Sequence, residues 1–199
     1  MRRSVLLALP LLGLLAVPSS AAAPGLHLKD ISGDANGING QALQLIPTSV
    51  NTNPASVKGA DIIGLDVVTS WIGSGKTRRA NGFTVTMRLA GPVQQGVNYG
   101  VTADLNVACG NGRLQLGYDD LKASKTNLAL CQSTSTGGSS TDVGGAALGA
   151  DGRSIVWTVN ALGKPGALKA TNFAASSTVF VVGVFDELIA EDAVFTYGR

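Results

Sequence analysis

The chain has 199 residues, with 15 Lys and Arg against 13 Asp and Glu, one histidine and two cysteines. That length suits one domain with a sizeable core, or two small ones. A charge this close to balance gives no argument for nucleic acid or an anionic membrane as partner.

The chain opens on a basic head, Met1-Arg2-Arg3, followed by residues 5–17 that are nearly all Leu, Ala and Val, and by small residues at 19–23. This is the layout of a secretory signal peptide, with an apolar run too short for a comfortable membrane span. Pro24 directly after a cut at Ala23 is awkward, so we place cleavage near Ala22. The expected organisation is a leader over 1–22 and a single domain over 23–199. The Arg pair resembles a twin-arginine signal, but the very hydrophobic core favours general secretion. Without Arg2 and Arg3 the basic residues number 13, equal to the acidic ones. With no second apolar span, no cysteine at the cleavage point and no hydrophobic tail, the expected product is soluble, exported and outside the membrane. In such an oxidising place Cys109 and Cys131 form one disulfide by default. It would close a loop of about 23 residues and contribute on the order of 3 kcal/mol.

Residues 30–41 come next, with Asp30, Asp34, Asn36, Asn39 and Gln41 set among three glycines. Short oxygen-bearing side chains on such a backbone suit a turn and also suit Ca²⁺. As a metal site, Asp30, Asp34, Asn36 and Asp61 would form the cage. As a turn, Asp34 and Asn36 would bond to nearby backbone. An EF-hand is excluded, because its loop needs Glu at position twelve and residue 41 is Gln. Residues 42–46 read as a short strand.

The period-two signal then becomes clear. Ile63, Leu65, Val67 and Trp71 share one side of a first run. Phe83, Val85, Met87 and Leu89 share one side of a second, and Tyr99, Val101, Ala103, Leu105 and Val107 one side of a third. We read these three as an antiparallel meander. Gly110-Asn111-Gly112 reads as a hairpin turn leading to Leu114, Leu116 and Tyr118, and residues 128–131 as a short fifth piece. Residues 133–152 are Ser, Thr, Gly and Ala almost throughout and read as a long surface loop. Ile155, Trp157 and Val159 mark another strand, and residues 179–185, apolar on both faces, a central one. Phe195 and Tyr197 mark a last strand. The best helical candidate is residues 187–193. Together these elements predict an all-β protein, an antiparallel β-sandwich of about 7–9 strands, with a closed β-barrel as the alternative.

Three features bear on chemistry. Gly73-Ser74-Gly75-Lys76-Thr77 ends like a P-loop, but residue 70 is Ser where the pattern needs Gly, and a strand follows where a helix is needed. It reads as a basic hairpin tip of Lys76, Arg78 and Arg79. His27, the one histidine, lies near the mature N-terminus, a frayed place for a Ser-His-Asp or zinc site. Among the aromatic residues, Trp157 and Tyr99 fall in core register. Trp71, at a strand end, and Tyr197, near the C-terminus, are free to be exposed and to stack on sugar rings.

The run Asp30-x-x-Gly33-Asp34-Ala35-Asn36-Gly37, followed by Gly59-Ala60-Asp61-Ile62 opening a strand, resembles the start of a β-sandwich module in exported actinobacterial proteins. Residues 154–159, Ser-Ile-Val-Trp-Thr-Val, with Ala161-Leu162-Gly163 after them, resemble a late strand and turn of those modules. The modules are remotely similar to carbohydrate-binding family 9 and DOMON-like domains. The resemblance implies a sandwich in which an acidic N-terminal loop holds a structural calcium, here through Asp30, Asp34 and Asp61. The functional expectation is an exported non-catalytic binding domain with an extracellular carbohydrate as ligand. Two alternatives stand beside it: a structural or assembly protein of the cell envelope whose partner is another envelope protein, and a carboxylate-based hydrolase.

Overall fold

Strands with one apolar face are stable only when that face meets another, and the alternating runs meet in two stacked sheets. The computed structural model describes residues 25–32, 35–37, 58–107, 110–119, 124–133, 137–160, 162–179 and 184–199. In chain order the strands are β1 (Gly25–Lys29), β2 (Asn36–Gly37), β3 (Ile62–Ile72), β4 (Arg79–Leu89), β5 (Val97–Val107) and β6 (Gly110–Asp119). They continue as β7 (Ser124–Ser133), β8 (Gly137–Asp142), β9 (Gly144–Leu148), β10 (Ser154–Val159), β11 (Lys169–Val179) and β12 (Val184–Thr196). One sheet runs β1-β3-β4-β10-β9 and the other β2-β12-β11-β5-β6-β7-β8, and the two do not close into a barrel. The architecture is the antiparallel β-sandwich, with twelve strands among the described residues rather than 7–9.

The inner faces carry the side chains that the alternation selects. Phe83, Val85, Met87, Val101, Ile155, Trp157 and Phe173 are fully shielded from water, and Tyr99, Leu114, Leu116, Phe195 and Tyr197 nearly so. Each large apolar side chain buried this way contributes about 1.5–3 kcal/mol. Trp157 bridges the layers, its Nε1–H donating to the Gly117 carbonyl of the opposite sheet at 3.2 Å. At one end Phe83 meets Phe195 and Tyr197 with ring centroids 5.2 and 6.3 Å apart, in tilted pairings that aromatic quadrupoles favour.

Several sequence expectations are corrected. The third alternating run, β5, does not extend a meander with β3 and β4 but crosses to the second sheet. Gly110-Asn111-Gly112 is strand rather than turn, because Gly110 already pairs with Val107 and Gly112 with Leu105. The expected surface loop at 133–152 contains β8 and β9, which pair with β7 and β10. The helical candidate 187–193 lies inside β12. Residues 179–185 are no single central strand, since β11 ends at Val179 and β12 starts at Val184. The expected strand at 42–46 and the leader lie outside the described residues. So does Cys109, which takes the expected disulfide with it; the backbone of Cys131 lies on β7 opposite Gly112.

Candidate functional site

The two ends of the sandwich differ in chemistry. At the end where β3 begins, carboxylates hold backbone. Asp61 is 3% exposed and accepts a hydrogen bond from Ser32 Oγ at 3.4 Å. Asp30 accepts from the Ile31 N–H at 2.9 Å, while its own N–H donates to the Ile63 carbonyl. Asp186, which sequence reasoning missed, is also buried. It takes the Ile62 N–H on Oδ2 at 2.5 Å and the Glu187 N–H on Oδ1 at 2.9 Å. Ser177 Oγ donates to the Ala60 carbonyl, and the Tyr99 hydroxyl donates to the Gly59 carbonyl at 2.8 Å. These contacts lash residues 59–62 to both sheets. Of the four residues expected to hold Ca²⁺, Asp34 lies outside the described residues, and the backbone of Asn36 sits on β2 opposite Phe185. Asp30 and Asp61 both reach the start of β3. Among the described residues no three His, Cys, Asp or Glu side chains converge as a cation cage would require.

On the outer face of the first sheet, His27 Nδ1 lies 2.7 Å from Asp66 Oδ1, and Arg88 Nε lies 2.8 Å from Asp66 Oδ2. The frayed terminus expected around His27 is corrected: β1 pairs with β3 along its whole length, from Gly25↔Val68 to Lys29↔Gly64.

The other end carries Trp71. Its sequence register is that of Leu65 and Val67, which point inward, yet Trp71 retains 36% of its surface in water. Two irregularities explain this. The pairing of β3 with β4 shifts between Thr69 and Trp71, and Gly82 beside the shift has φ 107°. A side chain there would be strained, and a Cβ would strike the Val159 carbonyl. The bulge carries Trp71 past the last core layer of Phe83, Phe195 and Tyr197. A similar shift near Ile63 makes Ile62 the buried residue in its place.

Beyond Trp71 the chain turns through a short 3-10 turn, Gly75–Thr77, with Thr77 Oγ1 donating to the Ser74 carbonyl at 2.8 Å. The expected basic tip is therefore present, without the helix that a phosphate loop needs. Arg78 folds back so that its guanidinium carbon stands 4.5 Å from the centre of the Trp71 ring, a cation–π contact that fixes both side chains. Sequence reasoning named Arg78 only as a tip cation. Its place one residue before the return strand is the signal that would have paired it with Trp71.

Tyr197 is corrected from exposed to core, at 1% exposure. Its hydroxyl oxygen accepts the Gly82 N–H at 2.9 Å, and the adjoining Gly198 N–H donates to Thr69 Oγ1 at 3.0 Å. Tyr197 is thus the support of the tip rather than its binding surface. Beside it runs a shallow groove of about 200 Å³, lined by Gly25, Leu26, Val194, Phe195, Thr196 and Arg199.

Comparison with protein-family models, curated proteins and solved structures finds no match.

Proposed function

We propose that the protein is an exported, non-catalytic binding domain that engages an extracellular carbohydrate at the β3–β4 tip, with Trp71 as the stacking residue. The observation that carries this reading is an indole held outside the core by a bulge, pinned by Arg78, and still one-third in water. Sugar rings present CH faces that pack on aromatic rings, and a preorganised ring loses little entropy when it binds. Tyr197, buried beneath, sets the position of the tip without touching the ligand.

The test is retention of the mature protein on a panel of immobilised polysaccharides, repeated with Trp71→Ala after circular dichroism has established that the variant is folded. The expected result is retention on at least one polysaccharide and a loss of affinity of about tenfold or more in the variant, in keeping with the stacking surface removed. Retention unchanged in Trp71→Ala would move the site elsewhere. An empty panel, with native-cell cross-linking returning an envelope protein, would replace the carbohydrate reading with an assembly role.

A further inference from the structure

The charge of this nearly neutral chain is unevenly distributed along the long axis of the sandwich. The end that holds Trp71 is built from the β3–β4 tip, the segment joining β10 to β11, and the last residues of the chain. Hydrogen bonds tie these together: Gly82 N–H to Tyr197 Oη, Gly198 N–H to Thr69 Oγ1, and Gly166 N–H to the Tyr197 carbonyl. They bring Lys76, Arg78, Arg79, Lys164, Lys169 and Arg199 to one end, every one of them exposed. The supplying segments, residues 67–103, 152–185 and 193–199, contain no Asp or Glu at all.

Two acids that border this end, Glu191 and Asp192, lie exposed on β12 in the bulge between Ala190 and Val194, and three others are engaged with other groups. Asp104 Oδ2 accepts from Asn172 Nδ2 at 2.8 Å, Asp142 Oδ1 accepts the Gly144 N–H at 3.2 Å, and Asp66 holds His27 and Arg88. At the opposite end Asp61, Asp119, Asp151, Asp186 and Glu187 mix with Lys58 and Arg153. Among the described residues no carboxylate forms an ion pair with any of the six cations.

We propose that the ligand of the Trp71 site is a polyanionic carbohydrate, one bearing carboxylate, sulfate or phosphate groups; this rests on the carbohydrate reading above. Cations gathered on one surface with no acids among them produce a local positive potential that a neutral glycan would leave unused. Arg78 joins the two parts of the site. Its contact with the indole holds the guanidinium beside the ring, and its N–H groups are then placed for a bidentate anion beside the sugar face. Arg199, one of the six cations, also lines the groove beside Tyr197.

The experiment uses the mature chain on matched probes: dextran against dextran sulfate, polygalacturonate against its methyl ester, and vesicles of phosphatidylglycerol. The expected result is at least tenfold tighter binding to each anionic polysaccharide than to its neutral counterpart, weakening steadily from 50 to 500 mM salt as screening predicts. The variant K76S/R78S/R79S should lose that preference and most of its salt dependence. W71A should weaken binding to both members of a pair and leave the salt dependence in place. K29S/K58S, at the opposite end, should bind as the parent does.

Equal, salt-insensitive binding to neutral and anionic members overturns the charge inference and leaves carbohydrate binding standing. Parent-like binding by the triple variant overturns the assignment to this end. Binding to no polysaccharide overturns both readings, and binding to vesicles alone replaces the glycan with an anionic lipid surface.

Discussion

Asp186 on β12 and Tyr197 directly after it each accept a backbone N–H from the other sheet, those of Ile62 and Gly82. Both acceptors are buried, so neither N–H can turn to water when its partner is removed. Asp186→Ala should therefore cost about 2–3 kcal/mol in urea unfolding, the desolvation penalty of a stranded donor. The loss should be the same in EDTA and in excess Ca²⁺, since the bond that disappears runs to backbone. A loss confined to Ca²⁺ would mean that an ion bound to the native state links this carboxylate to Asp30 and Asp61. At this scale the packing of side chains is legible in the sequence and their hydrogen bonding is not. Trp157 and Tyr99 fell in core register and are in the core. Tyr197 was misplaced because nearness to a chain end says nothing about a partner more than a hundred residues away. Asp186 follows an apolar run and gives no local sign of its burial.

Turns and bulges set the behaviour of the elements. In the link between β9 and β10, Asp151 accepts the Arg153 N–H at 2.9 Å and the Ser154 hydroxyl at 2.8 Å. The Arg153 backbone bond first, then the Ser154 hydroxyl, holds the Asp151 carboxyl below the ordinary aspartate value. A carboxylate with a depressed folded pKa contributes stability that is present above its unfolded value, about 3.9. That stability is lost as pH falls through the lower, folded value. An NMR titration should place the Asp151 midpoint below that of an unfolded aspartate. The stability difference between the parent and Asp151→Asn should be full at neutral pH and shrink below about pH 4.

Gly82→Ala should cost about 2–3 kcal/mol, because φ 107° is strained for alanine and its Cβ meets the Val159 carbonyl. It should also change the fluorescence of Trp71, which the bulge positions. Elements were legible where one face is apolar and the other polar, as in β4, β5 and β10. They were illegible where Ser, Thr, Gly and Ala make a strand, as in β8 and β9. Such residues give no period-two contrast, and their pairing is decided by the neighbouring strand. The acidic, mixed run at 187–193 looked helical because a bulge in β12 breaks the alternation. The pairing jumps there from Val194↔Thr171 to Ala190↔Phe173.

On the scale of the whole molecule, the two-layer architecture was legible from the number and spacing of alternating runs. The assignment of strands to sheets was not, because it depends on pairings remote in sequence. The basic tip was visible as Lys76, Arg78 and Arg79, but its freedom from acids depends on which segments the topology gathers there. That gathering relies on the tie between Gly82 and Tyr197. The β3–β4 hairpin is a local structure and can form early, whereas the tyrosine that locks its bulge lies 115 residues further along. In a chain made from its N-terminus, the hairpin therefore lacks this tie to Gly82 until the closing segment emerges. The surface that we assign to ligand is thus among the last parts of the molecule to be completed.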